Sequence, residues 1–424
     1  MKILIQQVNI LSAKSPYNGM CKDVLLLNGI INKISDIGTI KEKCDEIIDG
    51  RNKHLTTGWL DLHVNFQEPG NEHKEDLLSG CHAAQQGGFT GVLCMPSTTP
   101  PVDNRSLVEF IQNRTKNQLV EVFSSGTISN RQEGTNLSEM FDMYGAGATV
   151  FTDDKKSVED AGLMLRALLY AKNFGGKIFS FANEQSISNK GQMNEGLSSI
   201  QLGLKGIPSI AEEIMISRDL ILAEYADAEI HFSGISTKKS VDLIRTAKKR
   251  GIKVTADVSY THFSLTDSSL NTFDSDYKLM PPLRSNEDVM ALIEGLKDNT
   301  IDAISSDHLP EDVENKKKEF ELAKFGAEGL ETCFAASYTA LMDHLSKEEI
   351  IEKFTSGPRK ILGLAQHAIV ENVPANLTMV DLNNVWTVDK QAIFSKSKNN
   401  PFLSRTLTAK PEYIFNKDQF YKIK

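Results

Sequence analysis

Three short stretches of this chain place imidazole and carboxylate groups where they could bind a metal ion or move a proton. The first is Leu60-Asp61-Leu62-His63-Val64-Asn65. It is apolar enough to be a strand, and a side-chain period of two then puts Asp61, His63 and Asn65 on one face. The second is Thr152-Asp153-Asp154 and the third Ser306-Asp307-His308, each following a short apolar run. A lone His or Asp at a strand end more often makes a local hydrogen bond than holds a ligand. Three such ends converging on one place would make a site.

The elements that must bring them together are legible as βα units. From Leu60 onward a short apolar run such as TGVLCMP is followed by a helical stretch such as SLVEFIQNRTK. The alternation continues through VEVFSSG, ATVFTDD, GKIFSFA, AEIHFSG, IKVTADVS and IDAISSDH. Seven or eight such units point to a closed parallel barrel, in which polar groups at the C-terminal strand ends face the mouth. No GxGxxG or GxxxxGK[ST] phosphate loop opens any of them. Residues 1–55 instead hold strand-like runs without crossover helices, ILIQQVNIL, DVLLLNG and INKISDIG. The same texture returns in ANLTMVDLNNVWTVD and AIFSK. The expected fold is α/β: a (β/α)8 TIM barrel over 56–364, with a small composite β-sheet domain built from 1–55 and 365–424.

Composition narrows the class. The 424 residues are 40% hydrophobic and 24% charged, enough to bury a core and too apolar for a disordered chain. A formal charge of -9 without long charged blocks leaves no electrostatic footprint for nucleic acid or anionic lipid. The start, MKILIQQVNILSAKSP, lacks the apolar core of a signal peptide, and no apolar run approaches the roughly 20 residues of a spanning helix. A cytoplasmic location is expected. The five cysteines are scattered and read as buried thiols.

The phrases GWLDLHVNFQEPGNEHKED, GGFTGVLCMPSTTPPVDN, VFTDDKKSV, IDAISSDHLPED and KKKEFELAKFGAEGLET resemble, in order and spacing, the dihydroorotases of the cyclic amidohydrolase superfamily. The likeness spans nearly the whole chain and continues into SKSKNNPF. It implies a metal-dependent barrel with a small composite sheet, opening or closing the ring of dihydroorotate in pyrimidine synthesis. Related members hydrolyse hydantoins and allantoin. The resemblance also implies a HxH pair, a bridging carboxylated Lys or Asp, two further His and a proton-shuttling Asp around one or two zinc ions.

Carried over by position, His63 matches the first residue of the HxH pair and Asn65 stands at the second. Asp153 matches the bridging aspartate and Asp307 the catalytic one. Phe181, in GKIFSFANEQ, and Gly234, in AEIHFSGIST, fall where metal-binding His residues would be, while His231 matches a preceding His that is not a ligand. Asn65, Phe181 and Gly234 are thus lost ligand positions. His63, Asp153 and Asp307 remain as a three-ligand shell, with the Asn65 carbonyl oxygen a weak fourth. The expectation is either no cofactor or one weakly bound divalent metal, zinc by ligand type, and not a full binuclear zinc site. Substrate-pocket positions change too. Gln67 replaces an arginine that would grip a carboxylate in a bidentate fork. Ser97 and Met280 replace asparagines, and Glu311 replaces a substrate-facing His and would repel an anionic substrate while ionised. Turn phrases such as Glu68-Pro69-Gly70 and Pro281-Pro282-Leu283-Arg284 are intact. With the metal shell degraded, Asp307 and His308 are expected to accept backbone hydrogen bonds at a strand end.

The expected function is therefore that of a dihydroorotase-like protein without zinc-dependent hydrolysis, a non-catalytic or regulatory subunit. By resemblance it is expected to be a homodimer, with aspartate carbamoyltransferase as a partner, because some family branches include inactive barrels that assemble with that enzyme. The alternative is a mononuclear-metal cyclic amidohydrolase of the dihydroorotase, hydantoinase or allantoinase type, with Asp307 as general base.

Overall fold

The N-terminal alternation becomes five strands, β1 (Lys2–Ile10), β2 (Cys21–Leu27), β3 (Ile30–Ser35), β4 (Glu46–Asp49) and β5 (His54–Thr57), in a computed structural model that describes residues 1–424. Ile3 and Ile5 of β1 face one core, and so do Val8 and Ile10. The change from odd to even positions is possible because β1 is bulged between Ile5 and Val8, with Gln7 at φ 55°.

The barrel strands follow. They are β6 (Trp59–Val64), β7 (Phe89–Cys94), β8 (Glu121–Gly126), β9 (Val150–Phe151) and β10 (Lys177–Ser180). A separate two-stranded parallel pair comes next, β11 (Met193–Asn194) and β12 (Gly206–Ile207), then β13 (Ile230–Phe232), β14 (Val254–Ser259) and β15 (Ala303–Ser305). The eight barrel strands pair in the order β15-β14-β13-β10-β9-β8-β7-β6, all in parallel. The ring draws together where His308 N donates to His63 O (3.1 Å) and Asn65 N donates to His308 O (2.8 Å).

Crossover helices cover the outside, and their ends are set by sequence. In Lys238–Lys249, Val241, Ile244 and Ala247 form the buried stripe and the Thr237 hydroxyl caps the start, accepting from Ser240 N (3.1 Å). At the N-terminal end of β6, Trp59 stacks on Phe334 with centroids 3.9 Å apart and donates its indole N–H to Thr56 Oγ1 (3.0 Å). Arg284 is also fully buried. It donates to Asn194 Oδ1 (2.9 Å), Ile207 O (3.1 Å) and Ser236 Oγ (3.0 Å), tying the β11–β12 pair to the loop after β13.

The chain ends with β16 (Val373–Pro374), β17 (Asn376–Thr387), β18 (Thr406–Asn416) and β19 (Gln419–Lys422), which return to the first sheet. Its order is β16-β3-β2-β1-β5-β17-β18-β19, with β4 beside β1. Leu377, Thr378 and Met379 of β17 pair antiparallel with Thr57, Thr56 and Leu55 of β5, so both ends of the chain build one sheet beside the barrel. AIFSK, expected as a strand, is not one. Phe394 N and Ser395 N both donate to the Glu331 carboxylate (2.7 and 2.8 Å), which straps this segment to the first turn of helix Leu330–Leu341. No helix is long and apolar enough to cross a membrane.

Candidate functional site

The C-terminal ends of β6, β9, β10, β13 and β15 meet at the mouth. The single face expected for Asp61, His63 and Asn65 does not form, because β6 shifts register between Asp61 and Val64. Asp61 instead accepts from Ser306 N (2.9 Å) and from the Ser306 hydroxyl, holding the end of β15. His63 reaches across. Its Nδ1 lies 3.2 Å from Ser233 Oγ, and its Nε2 lies 2.9 Å from Asp154 Oδ1 and 3.5 Å from Asp307 Oδ1. These last approaches are close but poorly aligned for hydrogen bonding, so the three atoms converge without a directed bond among them. Asn65 is buried, and its amide Nδ2 has no partner.

The carboxylate beside His63 is Asp154, which corrects the assignment of Asp153 as the metal-facing residue. Asp153 turns to the loop after β8, where it accepts from Ile128 N (2.8 Å), Ser129 N (3.0 Å) and the Ser129 hydroxyl. Asp154 has a left-handed backbone, φ 53°, and its side chain goes the other way, to the mouth.

The next residue, Lys155, is a member of the site that the motif pattern does not point to. Its Nζ stands 2.6 Å from Asp307 Oδ1, donates to the Met280 carbonyl (2.8 Å) and lies 5.0 Å from the centroid of the Phe181 ring. What the sequence offers is a lysine directly after two acidic residues at a strand end. Asp307 thus has a side-chain cation, where backbone donors were expected. His308 does accept a backbone bond, from Gly329 N to its Nδ1 (3.2 Å).

Charge and burial compete here. Burial and the Lys155 charge push the His63 imidazole down, but Asp154 and Asp307 outweigh them and hold it above its ordinary 6.5. Burial pushes Asp154 up, yet His63 and Lys155 together hold it below the usual 3.8. Burial dominates at Asp61, which is pushed up to about 6, and raises Asp153 despite its Ser129 and Ile128 donors.

The other positions matched to ligands and pocket residues make contacts of their own. Phe181, just past β10, is buried, with its ring against the Lys155 ammonium. Gly234, just past β13, donates its N–H to Asp257 Oδ1 (3.0 Å). His231 bonds Thr255 Oγ1 (2.9 Å) and Asp257 Oδ2 (2.8 Å) and makes no approach to His63. Gln67 is buried, Ser97 accepts from Gln132 Nε2 (3.0 Å), and Met280 offers its carbonyl to Lys155. Glu311 is not a free negative charge: Lys74 Nζ (2.9 Å) and Asn315 Nδ2 (2.9 Å) hold it.

Comparison with known proteins decides the family. A family model described as dihydro-orotase-like matches residues 52–240. A dihydroorotase of Ruminiclostridium cellulolyticum is 41% identical over 97% of this chain and 96% of its own length. The chain belongs to the dihydroorotase family. A dihydroorotase of Acetivibrio thermocellus is also 41% identical, over 94% of each protein. The L-hydantoinase (dihydropyrimidinase) of Arthrobacter aurescens shares the fold, with a TM-score of 0.85 at 22% identity, covering 100% of this chain and 96% of that one.

The zinc centre that the family resemblance implies does not fit the residues of this dihydroorotase homologue. The side chains of Phe181 and Gly234 offer no lone pair, and Asn65 presents an amide where the second imidazole of the pair would stand. The remaining set of His63, Asp154 and Asp307 carries an ammonium in contact with one of its oxygens.

Proposed function

We propose that this member of the dihydroorotase family is a non-catalytic homologue, a structural or regulatory subunit that keeps the barrel and has lost zinc-dependent hydrolysis. One observation carries this reading: the buried ring of Phe181 takes the end of β10, so a strand terminus matched to a metal-binding imidazole presents an apolar face to the mouth. Two further features support it. Gln67 cannot supply the charge-assisted fork that an arginine would give a substrate carboxylate, and Asp307 is engaged by Lys155. Fold alone does not carry activity when the site has changed. By family resemblance, the working form is a cytoplasmic homodimer with aspartate carbamoyltransferase as partner.

The convergence of His63, Asp154 and Asp307 favours a second reading, a one-metal cyclic amidohydrolase. Assaying the purified chain with added zinc for interconversion of dihydroorotate and carbamoyl aspartate separates the two. No turnover above the uncatalysed rate is expected. Zinc-dependent turnover abolished by Asp307→Asn would overturn the non-catalytic reading. Mixing the chain with aspartate carbamoyltransferase and measuring the assembled mass by light scattering tests the partner. Two separate species at micromolar concentration would remove it.

A further inference from the structure

We propose that the ε-ammonium of Lys155 is the resident cation of this barrel mouth, a covalently attached replacement that makes the mouth's charge balance independent of any divalent metal. The inference deepens the non-catalytic reading and rests on it.

The mouth carries two carboxylates, Asp154 fully buried and Asp307 mostly buried, beside one imidazole. Buried carboxylates need a compensating positive charge or must take up protons. Lys155 supplies that charge by geometry. Its Nζ is 2.6 Å from Asp307 Oδ1, the same oxygen that lies 3.5 Å from His63 Nε2. The ammonium is fixed from two further sides, by the Met280 carbonyl at 2.8 Å and the Phe181 ring at 5.0 Å. A carbonyl dipole and an aromatic face both stabilise a cation. Phe181 thus acquires a role beyond the loss of a ligand: it forms one wall of an ammonium site.

The same geometry works against a divalent ion. Zinc bound to Asp307 Oδ1 would sit about 2.0–2.2 Å from that oxygen. With Nζ only 2.6 Å from the oxygen, the two cations would stand no more than about 4.8 Å apart (2.6 plus 2.2). Like charges at that range repel, the more so where solvent is partly excluded. The ammonium therefore competes with the metal for one carboxylate, and being tethered it needs no free-ion concentration to stay bound.

The test is zinc binding by the full chain, followed by calorimetry and elemental analysis, in four proteins. These are the wild type, Lys155→Arg, which keeps the charge, Lys155→Met, which keeps the stem without it, and Lys155→Met combined with His63→Ala. Expected are less than about 0.1 zinc per chain in the first two and about one per chain in Lys155→Met, at least tenfold tighter, with the gain lost in the double variant. Circular dichroism establishes that each variant is folded. Should Lys155→Met fail to fold, Lys155→Gln takes its place, since it also lacks charge and can still donate to Met280. Wild-type protein that binds stoichiometric zinc as tightly as the uncharged variant would overturn the proposal, as would a folded uncharged variant with no gain. The two readings fail separately. Dihydroorotate turnover by zinc-free wild type would remove the non-catalytic function and leave the resident cation, whereas tight zinc binding without turnover would do the reverse.

Discussion

Asp154 Oδ1 lies 2.9 Å from His63 Nε2, while the adjacent Asp153 carboxylate closes on Ser129, so two consecutive acids serve opposite sides of one strand end. Asp154 belongs to the mouth and Asp153 to the scaffold.

Exchange of each for its amide should give different results. Asp154→Asn removes a main source of the upward shift on His63, so the imidazole should titrate lower than in the wild type. Asp153→Asn should leave that titration in place and cost about 1–3 kcal/mol of stability through weakened bonds to Ile128 and Ser129. NMR titration of His63 together with urea denaturation checks both. Equal His63 titrations in the two variants would show that Asp154 is not its partner.

Acid stability should depend on His262. Burial pushes this imidazole down to about 4, and it is held neutral between Pro281 O (2.9 Å) and Thr261 Oγ1 (3.1 Å). The unfolded chain takes up a proton near 6.5 and the folded one only near 4, so stability falls as pH drops through that window. The full loss is about 3 kcal/mol. Asp61, raised to about 6, works in the opposite direction, because its folded state gains a proton first on acidification. Comparing denaturation midpoints of wild type and His262→Gln between pH 7 and pH 5 isolates the histidine. The wild type should lose more stability than the variant, and parallel pH profiles would remove the effect.

Repairing the HxH pair should not restore catalysis. Asn65→His supplies one imidazole but leaves Phe181, Gly234, Gln67 and the Lys155–Asp307 contact in place. Since loss of one positioned electrostatic contact can cost about 10² to 10³ in rate, the variant with zinc should remain below about one thousandth of an active dihydroorotase. Absorbance of dihydroorotate measures this, and turnover within tenfold of an active enzyme would overturn the account of the pocket.

Arg284→Met should be strongly destabilising, by about 3–5 kcal/mol, because it leaves Glu212 buried beside an apolar side chain and frees Asn194 and the Ile207 carbonyl. Thermal and urea denaturation check the magnitude. A loss under about 1 kcal/mol would mean that the β11–β12 pair is held by other contacts.

Much of the architecture was legible from periodicity. Alternating βα phrases marked the barrel, and the matching strand texture at the two ends anticipated the β5–β17 pairing. Local irregularities hid the rest. A period-two rule assigns Asp61 and His63 to one face, but the register shift in β6 separates them. Motif alignment selected Asp153, whereas the left-handed backbone at Asp154 reverses which acid faces the mouth. Lys155 is not legible in the sequence because a lysine after a strand reads as a solvated loop residue, and its partners, Met280 and Asp307, lie more than a hundred residues downstream. AIFSK has strand composition but is captured by the Glu331 carboxylate.

The β5–β17 pairing has a bearing on biosynthesis. While the nascent chain is still attached to the ribosome, β5 is made early and β17 only after all eight barrel strands. Until residues 376–387 emerge, the hydrogen-bonding edge of β5 lacks its cover, and an uncovered edge invites pairing with another chain. The growing polypeptide is therefore most exposed to aggregation just before its last strands appear, and premature termination within them would release a complete barrel carrying an open edge.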